Sequence, residues 1–225
     1  MDKKLWIVLF VIALSADIAG ILLPDKTVQY ISKPFIVISL IGYFITVTVV
    51  SQRTVKKWIL FALSFSWVGD VLLMFEKKDE LFFLLGLSAF LLAHVFYIVC
   101  FIRIEKAEKL RSNPLVMTIA ILYGVVIVKF LFPYLGGMKW PVLVYGAVIT
   151  VMFSMALHMI FLKNKKAGYL LVSGASLFVI SDSVLAVNKF YHSFELAGLI
   201  IMFTYGLAQF LITEGAIQYI RKRPD

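Results

Sequence analysis

Long apolar runs dominate the chain, and short stretches of charged or turn-forming residues separate them. A membrane-spanning helix needs about 20 predominantly apolar residues. Eight runs approach or exceed this length, and no loop between them is long enough to form a domain. The predicted helices cover roughly residues 4–23, 34–50, 58–75, 81–103, 114–132, 140–162, 168–187 and 195–219. The pattern therefore predicts an all-α membrane protein with a single polytopic domain over residues 1–225.

Composition supports this interpretation and excludes an ordinary soluble domain. Of the 225 residues, 62% are hydrophobic and 16% are charged, whereas soluble domains are about 45–50% apolar and about 25% charged. The single cysteine, Cys100, lies in an apolar run and can build neither a disulfide framework nor a thiolate metal site.

The first 20 residues, MDKKLWIVLFVIALSADIAG, have the basic start and apolar core of a signal peptide. The apolar stretch nevertheless continues to Leu23, which is long enough to span a bilayer. We therefore interpret it as a retained first helix.

The distribution of lysine and arginine predicts the orientation of the helices, because cytoplasmic loops carry an excess of these residues. With eight helices, both termini lie on one side, and that side holds 15 of the 22 basic residues. Both termini are therefore predicted to be cytoplasmic. The retained first helix and this charge bias favour a bacterial cytoplasmic membrane, and a eukaryotic internal membrane is the alternative. The net charge of +9 is explained by this bias and by anionic lipid, so it does not call for a nucleic-acid partner.

A weak internal repeat accompanies the helix pattern. A shift of 112 positions places Asp70 on Asp182 and Lys77 on Lys189. Four helices per unit would give two halves with the same orientation, related by an axis along the membrane normal. A 4+4 parallel repeat is one interpretation, and chance matching in an apolar chain is the other.

Four carboxylates interrupt the apolar runs: Asp17, Asp70, Asp182 and Glu214. Intramembrane acids are costly, so they usually face the bundle interior and have a function. At about 1.5 Å per residue, the three aspartates lie roughly 8–9 Å below the predicted outer ends of their helices. They are therefore expected to share one polar chamber, whereas Glu214 lies near the inner end of the last helix. The alternative is that an aspartate only caps a backbone or pairs with a lysine.

Small and basic residues accompany these acids. Gly69 allows a close helix approach beside Asp70, and Lys189 follows Asp182 by seven positions on the same helical face. Lys33 and Pro34 are predicted to open the second helix. Lys33 and Lys189 would then both lie at the outer rim of the polar chamber. Both lysines are alternatively ordinary interfacial residues.

The three histidines, His94, His158 and His192, are predicted to lie at different depths, which excludes a shared zinc site. No metal site is expected. His94 shares a helix face with Tyr97 and lies roughly 20 Å below the start of its helix. This depth is greater than that of the acids and argues against a direct catalytic role. His94 is either a hydrogen-bonded core residue or a pocket residue.

Several segments together resemble the YhhN-like lysoplasmalogenase family. They are SKPFIV early in the chain, GDVLLMF around Asp70, FLLGLSAFLLAHVFYI around His94, and SDSVLAVNKF around Asp182. The resemblance covers nearly the whole chain, and the order, spacing and eight-helix count agree. It implies an integral membrane hydrolase that cleaves the vinyl-ether bond of lysoplasmalogens to a fatty aldehyde and a glycerophospho-alcohol. No metal or organic cofactor is implied.

This chemistry suits the two acids of the most specific segments. Vinyl-ether hydrolysis needs a general acid that protonates carbon, a carboxylate near the resulting cation and a base for water. Asp70 and Asp182 are the predicted catalytic pair, and the sequence does not decide which is the acid. The predicted substrate-binding residues are Lys33, Lys189, Asp17, His94, Tyr97, Ser181 and Asn188, which would hold a lysophospholipid within the bilayer.

The competing interpretation is a proton-coupled transporter of small solutes or lipids that uses the same acids. Such carriers often break their helices near the midplane. Here all six prolines are predicted to lie at helix ends or in loops, which favours the hydrolase.

Overall fold

The computed structural model describes residues 2–23, 25–48 and 53–221. Eight α-helices make up nearly all of this part of the chain, and it contains no strand. The helices are α1 (Lys3–Leu22), α2 (Lys26–Val47), α3 (Arg53–Leu73), α4 (Glu80–Glu108), α5 (Pro114–Leu131), α6 (Lys139–His158), α7 (Lys165–Ala186) and α8 (Ala197–Arg221). The prediction of an all-α protein is confirmed.

Seven of these helices are long and apolar enough to cross a membrane, within the described residues. The eighth, α3, is 21 residues long, but every 18-residue stretch of it contains Lys56, Lys57 and Asp70. The chain is therefore an integral membrane protein. The single domain over residues 1–225, the cytoplasmic side of the termini and the 4+4 repeat stay predictions.

The start of α2 corrects one predicted boundary. Asp25 caps this helix, because its Oδ1 accepts hydrogen bonds from the backbone N–H of Thr27 at 2.9 Å and of Val28 at 3.2 Å. Pro34 lies inside α2, so the prediction that it opens the helix was wrong. The same finding corrects the statement that all six prolines lie at helix ends or in loops. The predicted end of this helix, at residues 49–50, lies outside the described residues.

The outer part of α7 differs from its prediction in a way that matters for the site. The helix continues without a break into a π-helical turn, Val187–Tyr191. Asp182 therefore lies nine residues before the end of the helical segment instead of five, and deeper in the bundle. The wider turn also ends the regular α-helical spacing after Ala186.

Consecutive helices pack as antiparallel hairpins, and contacts of α4 with α6 and of α8 with α1, α2 and α3 join the hairpins. Glycine allows the closest approaches. A Cβ atom on Gly174 of α7 would lie 2.9 Å from the carbonyl oxygen of Ala208 on α8, and one on Gly69 of α3 would lie 2.6 Å from the Phe90 ring of α4. The predicted close approach at Gly69 is thus present, and it fixes the position of Asp70 against α4.

Candidate functional site

A polar cavity of about 660 Å³ lies between α1, α2, α3, α7 and α8. Asp17 of α1, Asp70 of α3 and Asp182 of α7 all line it, so the structure brings together the three aspartates that the sequence placed at one level. Four lysines line the same cavity: Lys26, Lys33, Lys77 and Lys78. The cavity thus combines buried acids with a basic rim.

Asp70 is buried and stands at the end of a directed chain of hydrogen bonds. Its Oδ2 accepts from the Tyr205 hydroxyl at 2.7 Å. The Nε2 of Gln209 donates to the Tyr205 oxygen at 3.2 Å, and the Oε1 of Gln209 accepts from the Tyr97 hydroxyl at 2.7 Å. Because Gln209 donates to the oxygen of Tyr205, the proton of that hydroxyl is available for Asp70. Tyr97, a predicted binding residue, therefore reaches Asp70 only through two intermediaries and does not line the cavity.

Asp182 contacts two side chains through a single oxygen. Its Oδ2 accepts from the Tyr145 hydroxyl at 2.5 Å and lies 3.2 Å from Nε2 of His94. The Oδ1 atom has no hydrogen-bond partner among the described residues. Of the Asp182 side chain, 14% is exposed, so a free carboxylate oxygen remains available to the cavities that this residue lines.

His94 corrects the depth estimate made from the sequence. Its imidazole contacts both Asp182 and, at 3.0 Å, the Tyr145 hydroxyl, so it does not lie out of reach below the acids. The π-helical extension of α7 explains part of the error, because it moves Asp182 farther from the helix end. His94 is fully buried and does not line the polar cavity.

Asp17 is buried beside α2. Its Oδ1 accepts from the Ser32 hydroxyl at 3.3 Å, and its Oδ2 has no hydrogen-bond partner among the described residues. An unpaired carboxylate oxygen in a cavity wall is costly unless water or a ligand bonds to it. Asp17 lines the cavity, but its unpaired Oδ2 atom is itself enclosed by the protein.

The remaining predicted binding residues differ in their positions. Lys33, Ser181 and Asn188 line the polar cavity. The Ser181 hydroxyl donates to the Ile201 carbonyl at 3.0 Å, and Asn188 Oδ1 accepts from the Phe194 amide at 3.2 Å. Both are thus occupied by backbone contacts that shape the wall. Lys33 forms no hydrogen bond or ion pair with the described part of the chain, which leaves its ammonium group for a ligand.

Lys189 does not line the polar cavity, in contrast to its expected place directly above Asp182. Its Nζ lies 3.3 Å from Oε2 of Glu76, which does line the cavity, and 4.4 Å from the Phe83 ring centroid. The physical reason is the π-helical turn, since seven positions of regular α-helix no longer separate Asp182 from Lys189.

Asp182 also lines two apolar clefts. The α5 cleft, between α5, α6 and α7, is lined by Ile127, Val128, Val142, Ile149, Phe153 and others. The α4 cleft, between α4, α6 and α7, is lined by Phe83, Leu87, Phe90, Leu185, Phe190 and others. Asp182 is the one residue in the described part of the chain that lines both clefts and the polar cavity. It therefore stands at a junction between polar and apolar spaces.

Sequence reasoning missed Tyr145, Tyr205 and Gln209, which hold the two aspartates. A glutamine within the run GLAQFL is a signal that could have been used, because a buried amide requires hydrogen-bond partners. Tyr205 lies four residues before it on the same face. For Tyr145 the sequence offers no comparable neighbour.

Other polar groups lie apart from the cavity. Glu214 accepts from Tyr43 at 2.8 Å and from Gln218 at 2.6 Å. His158 bonds to the Ser154 carbonyl at 2.7 Å and to the Asn113 amide at 3.0 Å. Within residues 2–23, 25–48 and 53–221, no group of three or more histidine, cysteine, aspartate or glutamate residues could hold a metal ion.

Comparison with known proteins gives the family. The YhhN family matches residues 28–216. Lysoplasmalogenase TMEM86B of Rattus norvegicus is 32% identical over 158 residues, which are 70% of this chain and 60% of the relative. Lysoplasmalogenase TMEM86A of Homo sapiens is 33% identical over 71% of this chain and 65% of its own length. A lysoplasmalogenase of Mycobacterium tuberculosis is 29% identical over 76% and 64%.

The chain thus spans between 60% and 65% of the length of these three relatives. No solved structure matches the chain. The family match nevertheless covers most of the chain. It includes Asp70 and Asp182 and the tyrosines that bond to them, but not Asp17. The chain therefore belongs to the YhhN family.

Proposed function

We propose that this protein hydrolyses the vinyl-ether bond of lysoplasmalogens, releasing a fatty aldehyde and a glycerophospho-alcohol. The observation that carries the proposal is the position of Asp182, which lines both a polar, lysine-rimmed cavity and two apolar clefts. A lysoplasmalogen has the matching division, because its vinyl ether joins a charged glycerophosphate portion to a hydrocarbon chain. The three relatives, each named a lysoplasmalogenase, support the same activity.

The polar cavity suits the charged portion of such a lipid. Lys33 and the three other lysines of the rim can bind the phosphate. Lys33 forms no hydrogen bond or ion pair with the described residues, although its charge acts on Asp17 and Asp70. The predicted orientation, with both termini in the cytoplasm of a bacterial cell, would place this rim at the outer leaflet. A lysolipid in that leaflet then brings its vinyl ether to the level of Asp182.

The two aspartates supply the chemistry. A carboxylic acid transfers a proton to the vinyl carbon distant from oxygen, which leaves an oxocarbenium ion. Water adds to that cation and returns a proton to a carboxylate, which restores the acid. The hemiacetal then breaks its bond to the glycerol oxygen, which takes up the hydroxyl proton, and the aldehyde forms. Two carboxyl groups in one buried cavity can divide these roles between acid and cation-stabilising carboxylate.

The geometry supports a division of roles between the pair. Asp182 accepts from Tyr145 and contacts His94 through Oδ2, and its Oδ1 is free, as suits a carboxylate that stabilises a cation. Asp70 has a single donor, Tyr205, which ends a chain of hydrogen bonds. We assign Asp182 to the cation and Asp70 to proton transfer.

The first experiment compares three lipids with the purified full chain in lipid-supplemented detergent. A lysoplasmenyl lipid should release aldehyde, whereas its ester and saturated-ether analogues should not. The ester would give an acid, and the saturated ether cannot be protonated at carbon to form an oxocarbenium ion. Absence of aldehyde from the folded protein would contradict the proposal and favour the transporter. Pro34 lies inside α2, so the lack of prolines within helices no longer argues against a transporter.

Replacing Lys33 with alanine should raise KM about tenfold and leave kcat within about twofold of the wild-type value. The reason is that Lys33 would bind the phosphate equally in the ground state and in the transition state. Steady-state aldehyde release over a range of lipid concentrations measures both constants. Lys56, whose Nζ bonds to the Thr48 carbonyl at 2.9 Å away from the cavity, provides a Lys56→Ala control. A fall in kcat with unchanged KM in Lys33→Ala would contradict the proposal that Lys33 binds the phosphate.

A further inference from the structure

We propose that the α5 cleft holds the alkenyl chain of the substrate, with Ile149 and Phe153 setting the chain length that the enzyme accepts. This inference rests on the proposed function and adds to it a site for the hydrocarbon portion. The cleft and the polar cavity meet at Asp182, so the chain would begin where the vinyl ether lies.

The surface of the α5 cleft is apolar even where polar residues contribute to it. The Thr150 hydroxyl donates to the Gly146 carbonyl at 2.7 Å, and the Ser183 hydroxyl donates to the Val179 carbonyl at 2.8 Å. The Tyr123 hydroxyl lies 2.9 Å from the Ser183 hydroxyl. Because these hydroxyls are satisfied within the protein, the cleft offers no free donor or acceptor apart from Asp182. Such a surface fits a hydrocarbon chain.

The direction of the cleft distinguishes it from the α4 cleft. Along α7, the α4 cleft extends from Asp182 to Phe190, toward Lys189 and the basic rim. The α5 cleft also reaches Ala186, but unlike the α4 cleft it extends back past Asp182 to Val179 on α7 and as far as Phe153 on α6. A lipid whose phosphate lies at the rim must extend its chain away from the rim. The α5 cleft is therefore the one that continues the path of the substrate.

Two side chains of α6 limit the room in the α5 cleft. Phe153 lies eight residues beyond Tyr145 on α6, about 12 Å at 1.5 Å per residue, and its ring meets the Tyr123 ring at a centroid distance of 6.2 Å. Midway along this path, four residues beyond Tyr145, Ile149 also lines the cleft. The aromatic pair closes the far end, and the size of the Ile149 side chain sets the width of the middle.

The test measures kcat/KM for lysoplasmenyl lipids of long and short alkenyl chains. Ile149→Phe narrows the middle of the cleft and should lower the ratio of long-chain to short-chain kcat/KM about tenfold, as expected for the loss of contact with about two methylene groups. Phe153→Ala opens the closed end and should raise the same ratio severalfold. Thermal unfolding in detergent establishes that each variant is folded.

Leu87→Phe is the matched control, because it narrows the α4 cleft by a comparable volume and should leave the ratio unchanged. An altered ratio in Leu87→Phe, with none in the α5-cleft variants, would overturn the assignment and place the chain in the α4 cleft. If Ile149→Phe fails to fold, an unchanged ratio in Phe153→Ala overturns the assignment alone. Aldehyde release by the wild type separates this outcome from failure of the proposed function, which would leave every chain length uncleaved.

Discussion

Replacing Asp182 with asparagine should lower kcat for aldehyde release by about a thousandfold or more. Asparagine has nearly the same shape and can still accept from Tyr145 through its carbonyl oxygen, but it carries no negative charge next to the oxocarbenium ion. Charge stabilisation in a buried site and general acid–base catalysis each contribute about 10²–10³-fold or more. Steady-state aldehyde release from a lysoplasmenyl lipid measures the effect, and KM should change little.

Glu214→Gln is the matched control for Asp182→Asn. Glu214 is also an acid within an apolar helix, and it also accepts two hydrogen bonds, from Tyr43 and Gln218. It does not line the polar cavity. Its amide variant should therefore retain kcat within a few fold of the wild-type value. Equal losses in both variants, with both proteins folded, would mean that a general defect of the bundle and not the chemistry at Asp182 is responsible.

Asp70→Asn should lower kcat by about 10²–10³-fold with little change in KM, since an amide cannot deliver a proton to carbon. Tyr205→Phe removes the hydroxyl that donates to Asp70 Oδ2 at 2.7 Å and should lower kcat by about tenfold, through Asp70. Single-turnover aldehyde release would show whether the chemical step itself is slowed in both variants.

Ser66→Ala provides the comparison for these two variants. Ser66 lies one turn before Asp70 on α3 and is fully buried, and its hydroxyl has no hydrogen-bond partner among the described residues. Its removal should leave kcat unchanged. If Asp70→Asn were no slower than Ser66→Ala, Asp70 would have no part in proton transfer, and the acid would have to be sought among the other groups of the cavity.

The shared position of the three aspartates could be predicted because it depends on two regular quantities, the number of apolar runs and the rise per residue of a helix. Asp17, Asp70 and Asp182 lie on helices of the same predicted direction at similar distances from their ends. Small errors at those ends do not separate them. The close approach at Gly69 could be predicted for a similar reason, since only a glycine admits the Phe90 ring at that place.

Other features of the site depend on contacts between distant parts of the chain. Tyr145 and Tyr205 lie 37 and 135 residues from the aspartates that they hold, and no local spacing indicates such pairs. The depth of His94 relative to Asp182 was wrong in part because the π-helical turn after Ala186 cannot be recognised from apolar periodicity. Because the side chain of Asp25 caps α2, this helix begins eight residues before Pro34, which was predicted to open it.

The junction at Asp182 also determines how a turnover would end under the proposed function. Cleavage there leaves two fragments in different spaces, the glycerophospho-alcohol among the lysines and the aldehyde in an apolar cleft. Each fragment can leave without displacing the other, so their release need not follow a fixed order. The water-soluble fragment should then inhibit by competing for the polar cavity alone, while the aldehyde passes directly into the surrounding lipid. The protein would thus sort its two products by solubility at the moment that it forms them.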